Sequence, residues 1–373
     1  MRLNVQCRQH NPYTSFRLRI FMRKGEHMTK RMFSAITLCV LTLLLPLAQA
    51  SLIDDGYHFQ NYQSSPAVAD YIEWWFFSFS QPNIQGIVQY ALWDPANLTN
   101  RSMGTVLVNL YYNDSSLQLY YMAPWQTIVT SETSANLAIG PDTITVQEDG
   151  GYNLQGVAGD LQGNIVMYDL YFYQDTTSLN GFRNMKMSRF DPNQEMNWYV
   201  QMPSTQVFGA LMINGELVPI NARGYHDHNW GTWKLTCGMW NWFQTNEPGL
   251  AIVGYDFFTL HKGQISVIVD GKEISFNKRQ YIIINYDWTL DPETMQRFPR
   301  KTMLIAFNGF YLLTLKITVE TTALVGMTYE EQHMTWVVFE STVHFKGRLC
   351  GPSFNKQIDT VGFREYTINI ATP

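Results

Sequence analysis

Hydrophobic residues beyond position 100 come in short runs, rich in β-branched and aromatic side chains that partly alternate with polar ones. This pattern is typical of β-strands with one buried face. No segment beyond residue 50 keeps the helical period over a helical length, so we expect few and short helices. The strand-like runs occupy residues 104–112, 117–122, 142–147, 164–174, 208–220, 249–260, 265–276, 300–320, 333–349 and 361–370.

Turn signals separate several of these runs. Asp149-Gly150, Asn214-Gly215 and Asp270-Gly271 each lie between two apolar segments, and such pairs favour tight hairpins because they accept a left-handed backbone. Many short strands joined in this way predict an all-β protein with two antiparallel sandwiches or barrels. A boundary after residue 235 gives domains 51–235 and 236–373 of comparable strand content.

The first 50 residues have a different character. Residues 28–31 are basic, 33–45 are mostly apolar, and 46–50 end in an A-x-A pattern. This order predicts a signal peptide over 28–50, with a periplasmic or secreted mature protein; an uncleaved membrane anchor is the alternative. Residues 1–27 lack any pattern, and Met28 is the better start, so we interpret 1–27 as an upstream extension.

Removing this leader leaves an acidic chain. Residues 1–50 hold eight of the 26 Lys and Arg residues and one of the 31 acidic ones, so the remainder has 18 basic and 30 acidic side chains, a net charge of -12. Such a surface repels nucleic acid and does not favour docking onto an anionic membrane. No later stretch is long and apolar enough to insert stably in a bilayer. Aromatic residues make up 14% of the chain, which suits bulky cores or large apolar cavities.

Two cysteines remain after the leader, Cys237 and Cys350. In an oxidising compartment they are candidates for one disulfide. Free cysteines are also commonly buried as separate thiols, and the sequence leaves both alternatives open.

The stretch GYHDHNWGTW (224–233) concentrates candidate chemistry. Alternate side chains of an extended strand share a face, so this stretch presents two sets of three residues: Tyr225, Asp227 and Asn229 on one side, and His226, His228 and Trp230 on the other.

Three interpretations of this stretch remain. A dry aromatic setting would raise the pKa of Asp227, which could then donate a proton near neutral pH, with His226 or His228 tuning it. His226 and His228 could be two of the three or four ligands that a metal site needs. The other histidines beyond residue 50, His58, His261, His333 and His344, have no ligand-like spacing, so we predict no metal site. Alternatively, Asp227 and Asn229 tie a loop through hydrogen bonds to the backbone.

Two further clusters combine acids with aromatic rings. Glu73 precedes Trp74 and Trp75. If Glu73 is buried, its carboxyl needs a partner, such as an indole N–H or a histidine of 224–233. Alternatively, Glu73 is exposed and only the two tryptophans belong to the core.

The second of these clusters is residues 237–258. Trp240 and Trp242 share a strand face there, and Tyr255 adjoins Asp256. These rings belong to the core or line a cavity. The sequence has no nucleophile elbow, P-loop or dinucleotide fingerprint, so we predict no cofactor.

Together these stretches resemble the hydroxyneurosporene synthase (carotenoid 1,2-hydratase)/AttH-like lipocalin superfamily. The likeness rests on EWWFF (73–77), on ING with GYHDHNWG (213–231), on the tryptophan pair that begins at Trp240, on RFP (297–299) and on GFREY (362–366). Phe76 replaces a tyrosine that is usual in the family, and the predicted export also departs from carotenoid chemistry.

The resemblance implies two tandem lipocalin-like β-barrels, the first ending with the DHNWG strand, and a large apolar ligand held in or between them. By analogy with the hydratases, Asp227 or Asp256 would protonate an alkene and water would capture the cation. His228, Trp230 and Tyr255 would support that acid.

We therefore expect an exported protein that binds a hydrophobic, lipid- or isoprenoid-like small molecule. Three functions stay open: hydro-lyase or isomerase/cyclase chemistry by a buried acid, a non-catalytic carrier, and an interaction or structural protein with filled barrels. The sequence does not set the oligomeric state. The candidate ligand-binding residues are Glu73, Trp74, Trp75, Tyr225, His226, Asn229, Trp230, Trp240 and Trp242; the candidate catalytic residues are Asp227, His228, Tyr255 and Asp256.

Overall fold

The structure is a computed structural model that describes residues 52–99, 102–112, 115–173, 178–329 and 334–371. The predicted upstream extension (1–27) and signal peptide (28–50) lie outside the described residues and stay predictions. None of the helices in these ranges is long and apolar enough to cross a membrane. Each is a single 3-10 turn, at Leu52–Asp55, Phe59–Asn61, Val68–Asp70, Trp125–Thr127 and Leu235–Cys237, which confirms that helices are few and short.

Within the described ranges, twelve strands form a first sheet and nine form a second. All of the pairings are antiparallel. The strands of the first sheet are β1 (Tyr71–Gln81), β2 (Ile84–Trp93), β3 (Met103–Tyr112), β4 (Ser115–Pro124), β5 (Ile128–Thr130), β6 (Leu137–Ile139), β7 (Asp142–Val146), β8 (Tyr152–Gly159), β9 (Ile165–Tyr173), β10 (Leu179–Lys186), β11 (Glu195–Ile213) and β12 (Glu216–Thr232).

The strands of the second sheet follow after the 3-10 turn at Leu235–Cys237. They are β13 (Trp240–Glu247), β14 (Leu250–Phe257), β15 (Lys262–Val269), β16 (Lys272–Asn277), β17 (Tyr281–Leu290), β18 (Arg297–Phe307), β19 (Leu312–Tyr329), β20 (Met334–Cys350) and β21 (Asn355–Ala371). The change of sheet therefore falls between Thr232 and Trp240.

Eight strands of the first sheet close into a ring. The order is β1-β2-β3-β4-β8-β9-β11-β12, and β12 pairs back with β1. The β4–β8 junction is a single pair, Tyr120 with Gly159. This ring is a lipocalin-like antiparallel barrel, here called the first barrel. The second sheet curls in the order β16-β15-β14-β13-β21-β20-β19-β18-β17 over its own apolar core. The predicted all-β, two-part fold is confirmed.

Turn chemistry sets the register of two long hairpins. Asn214-Gly215 joins β11 to β12, and Asp270-Gly271 joins β15 to β16. All four residues have positive φ, between 48° and 88°, as a two-residue hairpin turn of this type requires. Because the β11–β12 register places each side chain of 224–233 on a definite face, this turn also positions the site described below.

β1 and residues 224–232 of β12 bury both of their faces. Trp75, Phe77 and Phe79 of β1 point into the first barrel, whereas Ile72 and Phe76 point outward into a core shared with the second sheet. The alternation follows the period of two of a β-strand. A strand buried on both sides reads as a nearly continuous apolar run, which is how EWWFF appears in the sequence.

Cys237 and Cys350 are free thiols, which corrects the bridged alternative. Cys237 lies close to Trp240, whose ring centroid is 5.4 Å from that of Trp336 on β20. Cys350 is the last residue of that strand, and a strand rises about 3.3 Å per residue. The two thiols are thus separated by roughly 45 Å of strand contour, whereas a disulfide joins Cα atoms only about 4.4–6.8 Å apart.

Gly231 is required by the close pairing of β11 and β12. Its φ is +150°, and a Cβ there would lie 2.1 Å from the carbonyl oxygen of Glu195. Gly231→Ala must therefore strain or displace the paired backbone. We expect it to lower the free energy of unfolding by roughly 2–4 kcal/mol, measured by urea unfolding followed through tryptophan fluorescence.

Gly326→Ala is the matched control. A Cβ at Gly326 would lie 3.6 Å from the carbonyl oxygen of Trp336, an ordinary contact. This variant should stay within about 0.5 kcal/mol of the natural chain. Equal urea midpoints for the two variants would contradict the role assigned to Gly231.

Candidate functional site

An aromatic layer joins the first barrel to the second sheet. The ring of Trp242 on β13 packs edge-on against Phe76 and Tyr225, at centroid distances of 5.2 and 5.6 Å. Trp198 meets Tyr255 in the same manner at 5.0 Å. Edge-to-face contacts of this kind stabilise aromatic clusters beyond the burial of their area. The two sheets therefore share one core, and their strands converge on the space beside it.

A cavity of about 430 Å³ lies beside this layer, between the two sheets; we call it the main cavity. Its volume falls within the usual range for small-molecule sites. Five indoles contribute to its wall, which is mainly apolar. The carboxyls of Glu340 and Glu365 also line it, as do the charged residues Asp70, Asp94 and Lys234. The indoles belong to Trp74, Trp93, Trp233, Trp240 and Trp336.

A second, small pocket of about 40 Å³ adjoins the main cavity. Trp74, Trp240 and Glu365 line both spaces, so these three residues form a common wall. Asp227 and Asn229 line the small pocket but not the main cavity. A water molecule needs at least about 10–15 Å³ of such space, so the small pocket has room for water while the main cavity has room for a larger molecule.

Asp227 is buried, with 3% of its surface exposed. Its carboxyl accepts hydrogen bonds from the Trp198 indole at 2.8 Å, from the Tyr225 hydroxyl at 2.6 Å and from the Asn229 amide at 3.0 Å. Burial raises the pKa of Asp227 to about 6, against the opposing effect of these donors. The carboxyl is therefore mostly ionised at pH 7 but takes up a proton just below it.

Glu340 and Glu365 are direct cross-strand neighbours on β20 and β21. Like charges in that position repel. The Glu340 carboxyl accepts a hydrogen bond from the Asn109 amide of the first barrel, and Glu365 accepts one from the Trp240 indole at 2.7 Å. Burial raises the pKa of Glu340 to about 7, and burial together with the charge of Glu340 raises the pKa of Glu365 to about 8.

Sequence reasoning did not select Glu340 or Glu365 as site residues. Each is an acid next to apolar and aromatic residues, in WVVFES (336–341) and GFREY (362–366). A carboxyl in such a run cannot be buried without a partner or a shifted pKa. That conflict was the available signal at both positions.

The candidate residues from 224–233 divide between two places, as their alternation predicted. Tyr225, Asp227 and Asn229 face the cleft between the sheets. The opposite faces of β1 and β12 point into the first barrel and carry the other candidates from these two strands, Glu73, Trp75, His226, His228 and Trp230. The histidine rings therefore do not stand beside the Asp227 carboxyl, which corrects the expectation of a single site containing both.

Inside the first barrel, Glu73 is the centre of one hydrogen-bonded group. Its Oε1 lies 2.9 Å from Nε2 of His228 and 3.2 Å from Nδ1 of His58. The Tyr71 hydroxyl donates to Oε2 at 2.6 Å. Although burial alone would raise it, these two histidines hold the pKa of Glu73 below its ordinary value. Glu73 is thus a paired internal carboxylate and lines neither cavity.

A second internal group surrounds Asp55, which comes from the segment before β1. Asp55 Oδ2 lies 3.0 Å from Nε2 of His226 and accepts a hydrogen bond from the Tyr152 hydroxyl at 2.6 Å. Against the effect of burial, His226 and His228 hold the pKa of Asp55 below its ordinary value. The two groups fix residues 55–58 at the end of the barrel.

Asp256 lies away from the cleft. Its neighbour Tyr255 faces the small pocket, so Asp256 points to the opposite face of β14. There it pairs with the Lys278 ammonium and accepts a hydrogen bond from the Tyr281 hydroxyl at 3.1 Å. Asp227 and Asp256 therefore do not share one site, and the geometry assigns Asp256 a structural ion pair.

The raised pKa of Glu365 makes stability depend on pH. A carboxyl whose folded pKa exceeds its unfolded value favours the folded state fully at low pH, and this contribution is lost as pH rises through the folded pKa. For Glu365 the window runs from its ordinary value of 4.5 to about 8. Glu365→Gln should therefore flatten the fall in unfolding free energy between pH 5 and 8, by an amount on the order of a few kcal/mol.

Urea unfolding at a series of pH values measures this effect. Glu216→Gln, at an exposed position on β12, is the control and should reproduce the pH dependence of the natural chain. If Glu365→Gln follows the same curve as the natural chain, the carboxyl is not held protonated in the cleft.

No protein-family model matches this sequence, and no curated protein matches it. Solved structures match the fold. A structure described as AttH from Nitrosomonas europaea has a TM-score of 0.64 at 15% identity, covering 86% of this chain and 97% of that one. Kievitone hydratase from Nectria haematococca has a TM-score of 0.57 at 16% identity, covering 87% and 94%.

A third structure, CghA with Sch210972, has a TM-score of 0.53 at 8% identity and covers 83% of this chain and 93% of that one. At these identities the likeness establishes the fold. It runs through both sheets, because more than four fifths of the chain is covered in each case. The chain therefore shares its two-part lipocalin-like fold with these solved structures, which confirms the fold that the resemblance in its motifs implied.

Proposed function

We propose that this protein binds a hydrophobic, isoprenoid- or lipid-like small molecule in the main cavity and adds water to an alkene of that molecule. One observation carries the proposal: Glu365, a carboxyl that holds its proton at pH 7, and Asp227, one that is mostly ionised, line the same small pocket beside an indole-lined cavity.

The main cavity suits an apolar ligand with few polar groups. Its walls are largely indole and aliphatic surface, and its volume of about 430 Å³ fits a molecule of ordinary ligand size. Indole faces also attract positive charge. Trp74 and Trp240, which separate the main cavity from the small pocket, are therefore placed to stabilise a carbocation formed at that boundary.

The two carboxyls have complementary roles. Environments that push two carboxyl pKa values apart separate an acid from a base. Glu365, with a pKa of about 8, is the proton donor, and Asp227, with a pKa of about 6, is the base. This assignment differs from the sequence-based expectation, in which Asp227 or Asp256 was the donor, because Glu365 borders the main cavity and neither aspartate does.

The reaction balances without a cofactor. Glu365 transfers its proton to one alkene carbon, and the π electron pair forms the new C–H bond. The other carbon becomes a cation, which a water molecule from the small pocket attacks to form the C–O bond. The water gives up a proton to Asp227, and transfer of that proton back to Glu365 restores both carboxyls.

The solved neighbours support this class of function. One of them bears the name of a hydratase, and another was solved with Sch210972. Both are fold neighbours at low identity, so the ligand of the present chain is argued from its own cavity. The proposed site of action is the periplasm or the cell exterior, on the basis of the signal-peptide pattern in residues 28–50.

Glu365→Gln should abolish hydration while ligand binding survives. A positioned general acid contributes about 100- to 10,000-fold, so we expect turnover to fall at least about 100-fold. Farnesol, an acyclic isoprenoid with a trisubstituted alkene in its last isoprene unit, is the probe. Binding is measured by quenching of tryptophan fluorescence, and turnover by uptake of heavy oxygen from labelled water.

Glu216→Gln serves as the matched control and should leave both readouts unchanged. Undiminished hydration by Glu365→Gln would refute its role as the acid. Native mass spectrometry of the purified natural protein identifies any ligand retained from the cell. A natural chain that binds isoprenoids but always returns them unchanged would be a carrier, and the proposed hydration would be wrong.

The pH dependence of turnover tests the acid–base assignment. The rate should rise as Asp227 ionises near pH 6 and fall as Glu365 loses its proton near pH 8. Glu340→Gln removes the like charge opposite Glu365, so the pKa of Glu365 should fall and the alkaline limb should move to lower pH. The acid limb should not move. A profile in which Glu340→Gln leaves the alkaline limb in place would exclude Glu365 as its source.

A further inference from the structure

We propose that the first barrel binds a divalent transition-metal ion, with zinc as the best-fitting example, through His58, Glu73 and His228. The candidate ligand atoms of these three residues all lie within 4.8 Å of one another. This site is inside the barrel and does not depend on the function proposed for the cleft.

Two of the three ligand–ligand distances suit a zinc ion, and the third, between the two histidine nitrogens, lies within 4.8 Å and must shorten as the side chains close on the ion. Glu73 Oε1 lies 2.9 Å from His228 Nε2 and 3.2 Å from His58 Nδ1. Zinc binds imidazole nitrogen and carboxylate oxygen at about 2.0–2.2 Å, and in a tetrahedral site neighbouring ligand atoms are then roughly 3.3 Å apart. Two histidines and one glutamate with an open fourth position form a known arrangement for zinc.

The neighbours of His228 leave a place for one more positive group on its ring, which a proton or a metal ion can fill. Nε2 faces the Glu73 carboxylate, and Nδ1 faces the carbonyl oxygen of Asp54 at 3.3 Å and Asp55 Oδ1 at 3.5 Å. A neutral imidazole has one N–H, yet all of these neighbours are acceptors. A metal ion on Nε2 satisfies that nitrogen and Glu73 together, and leaves Nδ1–H to donate to the Asp54 carbonyl.

This outer contact is the one that metal-bound histidines usually make. Their second nitrogen donates to a backbone carbonyl or a carboxylate, which fixes the ring. At His226, Nδ1 faces the carbonyl oxygen of Phe76 and Nε2 faces Asp55, both at 3.0 Å, and His226 belongs to no group of three candidate ligands among the described residues. The ligand set therefore combines one histidine of 224–233 with His58.

The three ligands are held in place by their neighbours. His58 stacks on the Trp230 ring at a centroid distance of 3.9 Å, and His228 stacks on Trp75 at 4.5 Å. The Tyr71 hydroxyl binds the second oxygen of Glu73. Such preorganisation lowers the cost of assembling a site when the ion arrives.

The surroundings leave room for a fourth ligand and a route of entry. The Tyr57 hydroxyl is buried, within the electrostatic reach of Glu73, and has no hydrogen-bond partner among the described residues. A water on the metal would provide one. The side chain of His58 is 11% exposed whereas that of Glu73 is fully buried, so an ion would enter past His58.

Metal titration tests this site on the full chain. The protein is stripped with a chelator and titrated with Zn²⁺ in competition with a chromophoric chelator, and with Co²⁺ as an optical probe. We expect one ion per chain and a tetrahedral Co²⁺ spectrum. His58→Ala should weaken binding at least about 100-fold, since even outer contacts change metal affinity by 10- to 100-fold.

His344→Ala is the control, because His344 lies on the second sheet, where it is half-exposed and paired with Asp359. It should bind the ion as the natural chain does. X-ray absorption of the natural zinc-loaded protein covers the case in which His58→Ala does not fold: it must show two imidazoles and one carboxylate. Absence of stoichiometric binding, unchanged affinity in His58→Ala, or a shell with fewer than two imidazoles would each overturn the proposal.

Discussion

The antiparallel pairing of β1 with β12 is the contact on which both sites depend. It sets Trp75 opposite His228 and Phe76 opposite Asp227, so one layer of side chains enters the barrel and the next enters the cleft. A slip of one residue would exchange the two faces. Imidazoles would then lie against the second sheet and Asp227 would lie inside the barrel. The Asn214-Gly215 turn and the close approach of the Glu195 backbone to Gly231 hold β12 in register with β11. Because β12 also pairs with β1, these two features help to position β12 against β1.

The two faces treat buried carboxyls in opposite ways. Inside the barrel, Asp55 and Glu73 meet imidazoles and hydroxyls that favour the ionised form. In the cleft, Glu340 and Glu365 meet each other and apolar rings, and burial favours the protonated form. Burying a charge costs several kcal/mol unless it is paired or neutralised, and the protein uses both solutions. Paired charges give a rigid structural element, whereas neutral acids give groups that can exchange a proton with a bound molecule.

Local sequence patterns predicted the strands, the hairpin turns and the two faces of 225–230, because each depends on neighbours along the chain. They did not predict that Glu340 lies opposite Glu365, since this depends on the register of two seventeen-residue strands. Nor did they predict that His58 lies beside Glu73 and His228. His58 belongs to an irregular segment, and such a segment has no repeating pattern from which its position in the fold could be inferred. The single site expected around Asp227 therefore became two, separated by one strand layer.

The hydrogen bond between Asp55 and His226 spans 171 positions of the chain. Contacts of such long range slow folding, because the entropy of closing a large loop must be lost before the contact is gained. The ring of strands also cannot close until β12 is available to pair with β1. Closure of the first barrel should thus be a late event, and until it occurs the edges of β1 and β12 remain open to association with other chains.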